Sequence, residues 1–262
     1  MMSKEHINFL RNYRIKKYIV LFWQLFILVI GLVLWQLLSD KRIINPFIFS
    51  SPFKIIKTIY ELYIDGSLFR HVFVTIYETI CSFVIGLGIS FIIGIILYIF
   101  PTIRKIFDPY LTVLNSLPKV ALGPMILIIA GANQRSIIVM AVLINVIVST
   151  IVILNGFCHT SSIKIKLMQS FQCNRLQLLK YLVIPSSYQT IISSFKLGIS
   201  MSLIGVISGE FLVSKEGLGY LIIYGTQVFN LNLVISGISL LVVISYLLYR
   251  LVDKLEDVLV KK

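Results

Sequence analysis

Long apolar runs, broken by short polar segments, dominate this chain. A helix crossing about 30 Å of hydrocarbon at 1.5 Å per residue needs about 20 mostly apolar residues. Six stretches reach roughly that length: 19–38, 72–100, 110–130, 137–154, 188–213 and 231–249. The first carries Trp23 and Trp35 toward its ends, where indole rings favour the headgroup boundary. It follows the basic NYRIKK segment with no small-residue cleavage site, which reads as an uncleaved anchor. The pattern predicts an all-α membrane protein of six transmembrane helices, with an amphipathic cytoplasmic segment between the fourth and fifth.

The layout expected is a basic tail (1–18), a first membrane helix (19–38), an outer segment with an interfacial helix (39–71), a core of five membrane helices (72–249) and a second tail (250–262). In the outer segment Ser51 and Pro52 form a helix-start signature, followed by Phe53, Ile56, Ile59, Tyr60 and Tyr63 near helical spacing. A short helix along the membrane surface and a solvated connector both fit. Within the core, the segment 160–185 interleaves Met168, Phe171, Leu178, Leu179 and Leu182 with Lys166, Gln169, Arg175, Gln177 and Lys180. Asn174 permits a turn and Pro185 closes the segment, so two short helices under the membrane are predicted. Gly86, Ser90 and Gly94 recur at every fourth position, which suits close helix packing.

Composition agrees with lipid as the solvent. The chain has 262 residues, 58% hydrophobic and only 13% charged, with a mean hydropathy of +0.94, whereas soluble domains average about 25% charged residues. The net charge of +13 fits cationic loops held on the cytoplasmic side, and no nucleic-acid partner is implied. With the N-terminus inside, fifteen Lys and Arg fall in inner segments and seven in outer ones, which predicts that both termini are cytoplasmic. Cys81, Cys158 and Cys173 have no metal spacing, and His6, His71 and His159 are scattered, so no metal or hydrolase site is expected. No GxxxxGK[ST] loop occurs, so any use of ATP requires a separate chain.

Several residues stand out inside the apolar runs. Pro118 and Pro124 interrupt the third stretch, and irregular backbone at membrane depth is tolerated only where protein buries it or a wet cavity borders it. Pro118, Lys119 and Glu210 are therefore candidates for a solute pathway, against a reading in which Lys119 snorkels to an interface. Lys196 carries the same ambiguity. After Glu210 comes SKEGLGYLI, where Gly217 and Gly219 allow a close-approaching turn.

Together these segments resemble the membrane subunit of bacterial ATP-binding-cassette importers, in the permease group for nitrate, aliphatic sulfonates, taurine, bicarbonate and vitamin-precursor pyrimidines. The resemblance runs from about Pro52 to the last span, through SSPFKII, TIYETICSFVIGLGISFIIGIILY, DPYLTVLNSLPKVALGPMILIIAG and EGLGYLI. Such permeases carry an inner signature of Glu-Ala-Ala, three residues, Gly, nine residues, Ile, one residue, Leu-Pro. Counted back from Pro185, these positions hold Lys166, Leu167, Met168, Gln172, Leu182 and Ile184. The acid and the glycine are missing, and Gln172 lacks the conformational freedom of glycine.

The resemblance implies a non-catalytic permease subunit of the bacterial plasma (inner) membrane, without a cofactor. Its partners would be ATP-binding-cassette ATPase subunits, an extracytoplasmic substrate-binding protein, a second permease copy and membrane lipid. Gln169, Phe171, Gln172, Arg175 and Pro185 would couple it to the ATPase, with Phe171 as a buried anchor and Arg175 at the rim. The solute would be a small anion such as a sulfonate or nitrate, or a vitamin-precursor pyrimidine. A secondary transporter working without an ATPase is the alternative, disfavoured by the short chain and the few membrane acids beyond Glu78 and Glu210.

Overall fold

In the computed structural model, residues 4–45 and 47–260 are described, and among them every regular element is helical. The chain runs through α1 (Lys4–Asp40), α2 (Pro52–Ile64), α3 (Ser67–Ile99), α4 (Pro101–Ser116), a 3-10 turn (Lys119–Leu122), α5 (Gly123–Ala130) and α6 (Gln134–Cys158). It continues through α7 (Ser162–Ser170), α8 (Arg175–Leu178), a π-helical turn (Leu179–Val183), α9 (Ile184–Ser186), α10 (Tyr188–Val213), α11 (Leu218–Gln227) and α12 (Leu231–Val260). Five of these helices contain a stretch long and apolar enough to cross a membrane. The third predicted stretch differs from a single rod: residues 101–116 and 120–130 meet at 90°. Pro118 explains the break, because it disfavours helical geometry at the preceding residue, and Leu117 is accordingly extended at φ −68°, ψ 141°.

The bundle centres on α3, α6 and α10, which pack on one another along most of their length. On α3 the small and polar residues face inward and many of the large apolar ones outward, whereas α6 and α10 also bury apolar side chains such as Ile137, Met140, Phe157 and Ile199. On α3 the enclosed side is His71, Thr75, Glu78, Thr79, Ser82, Gly86, Ser90, Gly94 and Leu97, while Phe73, Val84 and Ile92 are exposed. Small residues are required where backbones nearly touch: a Cβ on Gly86 would lie 2.6 Å from the Asn145 amide nitrogen, and one on Gly205 2.5 Å from the Ala141 Cα. Asn145 of α6, fully buried, ties the three helices together by donating to Ser202 Oγ of α10 (3.0 Å) and Phe83 O of α3 (3.4 Å), while it accepts from Ser149 Oγ (2.6 Å).

Around this core, α11 and α12 close one side through Leu218, Leu221, Leu233, Ile244, Leu248 and Val252. Lys196 on α10 reaches Asp253 (2.7 Å) and Glu256 on α12, so it is ion-paired rather than snorkelled. The predicted start of α2 is seen, with Ser51 Oγ accepting from the Lys54 amide and Pro52 in the first turn. Its inward residue is Ile55, whereas Phe53, Ile56, Tyr60 and Tyr63 are exposed, an apolar face turned away from the bundle. Helix α1 touches the remainder chiefly near its end, where Ser39 Oγ donates to Ser50 O and Gln36 accepts from the Phe53 amide. α3 starts before the predicted residue 72, because Gly66 takes φ +71° and turns the chain directly out of α2.

Candidate functional site

Two places bring together residues singled out above. The first is the junction of α10, α11 and α3, at the end of the bundle expected to face outward. Glu210 is wholly buried there, a setting different from an acid open to a pathway. Its Oε1 accepts from Thr75 Oγ1 (2.7 Å) and its Oε2 from the Gly219 amide (2.5 Å). The Leu218 amide donates to Thr75 Oγ1 (2.8 Å) and the Gly217 amide to His71 Nδ1 (3.0 Å). The carboxyl group of α10 thus caps the first turn of α11, where free amides favour an oxygen acceptor. Gly217 makes this possible at φ +105°, ψ 167°, with its Cα pressed against the Glu210 carboxyl. Arg70 pairs with Glu216 over the outside of the turn, and His71 stacks on Tyr220 with centroids 5.9 Å apart.

One turn along α3 from Thr75 stands Glu78, 1% exposed, with neither carboxyl oxygen hydrogen-bonded. It lines a cavity of about 400 Å³ together with Asn133, Gln134, Ser214, Lys215 and Glu216. His71, Thr75 and Glu78 occur at helical spacing in the sequence, and that spacing was the one available signal that they share a face. Among the described residues no group of three or more His, Cys, Asp or Glu side chains is placed to hold a metal ion. Pro118 sits exposed at the 90° break, away from this cavity's lining. The Lys119 side chain lies outside the described residues.

The second place is the segment between α6 and α10. Helix α7 ends at a turn in which Gln172 adopts φ +57°, a left-handed conformation at the position where the signature has glycine. The altered residue has therefore not removed the turn. Helix α8 starts in a capping box: Asn174 Oδ1 accepts from the Gln177 amide (2.8 Å) and Gln177 Oε1 from the Asn174 amide (2.9 Å). Leu178, Leu179 and Val183 are buried against Ile153 and Phe157 of α6, with Ile165, Met168 and Leu182 around them. Pro185 opens α9, and Ser187 Oγ donates to Gly156 O (2.8 Å), which fixes the return into α10.

The opposite face of this segment is bare. Phe171 at the turn is 71% exposed, and Ile163, Leu167 and Leu176 are likewise exposed. Gln169 borders a cavity of about 360 Å³ beneath the bundle that also meets Arg104 and Arg175. Arg175 is exposed, and its guanidinium donates to Ile99 O at 2.7 Å, which braces the segment on the end of α3.

The family described as binding-protein-dependent transport system inner membrane component matches residues 86–260. The taurine transport system permease protein of Escherichia coli (strain K12) is 21% identical over 229 residues, 84% of this chain and 82% of the relative. The formylaminopyrimidine transport permease protein of Halalkalibacterium halodurans is 26% identical over 232 residues, 87% of this chain and 90% of the relative. A chain of the inward-facing MetNI methionine ABC transporter superposes with a TM-score of 0.65 at 16% identity, over 74% of this chain and 97% of that one, a likeness of fold.

Proposed function

Because this chain belongs to the family of binding-protein-dependent transport system inner membrane components, we propose that it forms the solute pathway of an ATP-driven importer and couples it to a separate ATPase. The observation that carries this reading is the α7–α8 segment. One face is packed onto α6, and the other presents Phe171 at a left-handed turn with no covering partner among the described residues. An aromatic side chain on a rigid protrusion is the form of anchor that dominates helix-in-groove docking.

In this reading Gln169, Phe171 and Gln172 enter a cleft of the ATPase, while Arg175 and Pro185 hold the segment at its angle to the bundle. Movement of the ATPase pair would then push on α6 and α10 through Leu178, Leu179 and Val183. A second permease copy completes the pathway, and the broken α4–α5 segment around Pro118, with α4 burying none of its residues, is the surface it would cover. An extracytoplasmic binding protein delivers the solute, both termini are cytoplasmic, and the chain itself catalyses no covalent step. The solute is a small anion such as a sulfonate, or a vitamin-precursor pyrimidine, a reading supported by relatives named for aliphatic sulfonates, taurine and formylaminopyrimidine.

The test is uptake in liposomes containing the chain, its ATPase and its binding protein. Uptake should require ATP, and Phe171→Ala should weaken ATPase association by about thirtyfold, as expected for an aromatic hot spot of about 2 kcal/mol. Uptake by the chain alone under an ion gradient would overturn the importer reading in favour of a secondary transporter.

A further inference from the structure

We propose that the cavity beside Glu78 binds a protonated amine, an ammonium group carried by a small organic molecule, with the Glu78 carboxylate as its counter-charge. This deepens the permease reading and rests on it for one point, that the ligand is a transported solute. The argument starts from an orphaned group. Glu78 is 1% exposed and neither of its oxygens is hydrogen-bonded, whereas buried polar groups are almost always satisfied and buried charges paired.

The neighbours do not resolve this deficit. Glu210 is already engaged by Thr75 and Gly219, and when ionised it repels a charged Glu78. Arg70, the nearest cation on the same helix, pairs with Glu216 instead. No hydrogen-bond donor of the lining reaches either Glu78 oxygen, and the adjoining space of about 400 Å³ has room for more than a bare ion. Gln134 lines that space with a side-chain amide oxygen as a further acceptor, while the oxygens of Asn133 and Ser214 on the same lining are engaged in capping α6 and in the turn at Glu216.

The chemistry of the site separates an ammonium group from a metal ion. No three His, Cys, Asp or Glu side chains converge among the described residues, so a divalent metal would find too few ligands. An ammonium group asks for acceptors arranged around three N–H donors, which the two Glu78 oxygens and the Gln134 amide oxygen can supply. Lys215, also on the lining, favours a ligand that carries an anionic group as well as the ammonium.

The test uses the full chain alone in lipid nanodiscs, so that it is independent of ATP-driven uptake. Binding of radiolabelled methylammonium is measured by equilibrium dialysis at concentrations up to about 50 mM, since so small an ion binds no tighter than about millimolar. Saturable binding is expected, competed by ethanolamine but not by tetramethylammonium, which has no N–H donors, and not by sodium. Glu78→Gln, which keeps the side-chain volume, should weaken binding at least tenfold. Gln134→Ala, at an exposed position, should weaken it severalfold with the fold intact. Absence of saturable binding to the wild-type chain, equal binding by Glu78→Gln, or equal competition by sodium or tetramethylammonium would overturn the proposal. Loss of uptake with methylammonium binding retained would instead strike the permease reading alone.

Discussion

Substituting Gly217 by alanine tests the construction of the α10–α11 junction. At φ +105°, ψ 167° the residue occupies backbone space essentially open to glycine only, and another residue held there costs about 1–3 kcal/mol. A Cβ would fall 2.3 Å from the Glu210 carboxyl carbon and Oε1, and 2.5 Å from Oε2. A free glutamate would swing aside at little cost, but this one is fully buried and held by Thr75 and the Gly219 amide. Displacing it breaks at least one bond and leaves a buried polar atom unsatisfied, about 1–3 kcal/mol more. Gly217→Ala should therefore lower stability by about 4 kcal/mol, split roughly evenly between backbone strain and the carboxyl clash. Equilibrium unfolding in mixed detergent micelles, followed by circular dichroism, measures this. In a Glu210→Ala background the clash disappears, so Gly217→Ala should cost only about 2 kcal/mol, a coupling readable in a double-mutant cycle. A loss under about 1 kcal/mol, or the same loss in both backgrounds, would refute the reasoning.

Gln172→Gly should stabilise the chain by up to about 1 kcal/mol, because left-handed backbone costs a non-glycine residue about 1–2 kcal/mol while the added chain entropy offsets part of the gain; thermal unfolding would show no rise if the turn at φ +57° were absent. Lys196→Met should lower the unfolding temperature by stranding Asp253 and Glu256, and Lys196→Arg should restore most of it. In a background lacking the native cysteines, a cysteine at Lys215 should react with an impermeant maleimide added outside intact cells and one at Ser162 should not; the opposite pattern would invert the topology and remove the α7–α8 segment from the ATPase side.

Hydropathy alone located the membrane-crossing stretches, because a span must be long and apolar whatever it packs against. Local chemistry likewise announced the Ser51–Pro52 start of α2, the interruption at Pro118 and the turn of Gly217-Leu218-Gly219, since each depends on the residue's own backbone preferences. The sequence did not disclose partners. In lipid the apolar residues that dominate the pattern face outward, so their periodicity says little about which helix lies on the other side. Only the tertiary structure set Glu210 of α10 against an α3 threonine and the first amide groups of α11, 135 residues separating the two side chains. It alone paired Lys196 with α12 and left Glu78 enclosed without a partner. The bend in the third stretch belongs to both levels: proline stops the helix locally, while the 90° angle depends on what the two halves rest on. Gln172 shows the same division from the other side, because its side chain disfavours the left-handed turn that Leu178, Leu179 and Val183, packed on α6, impose.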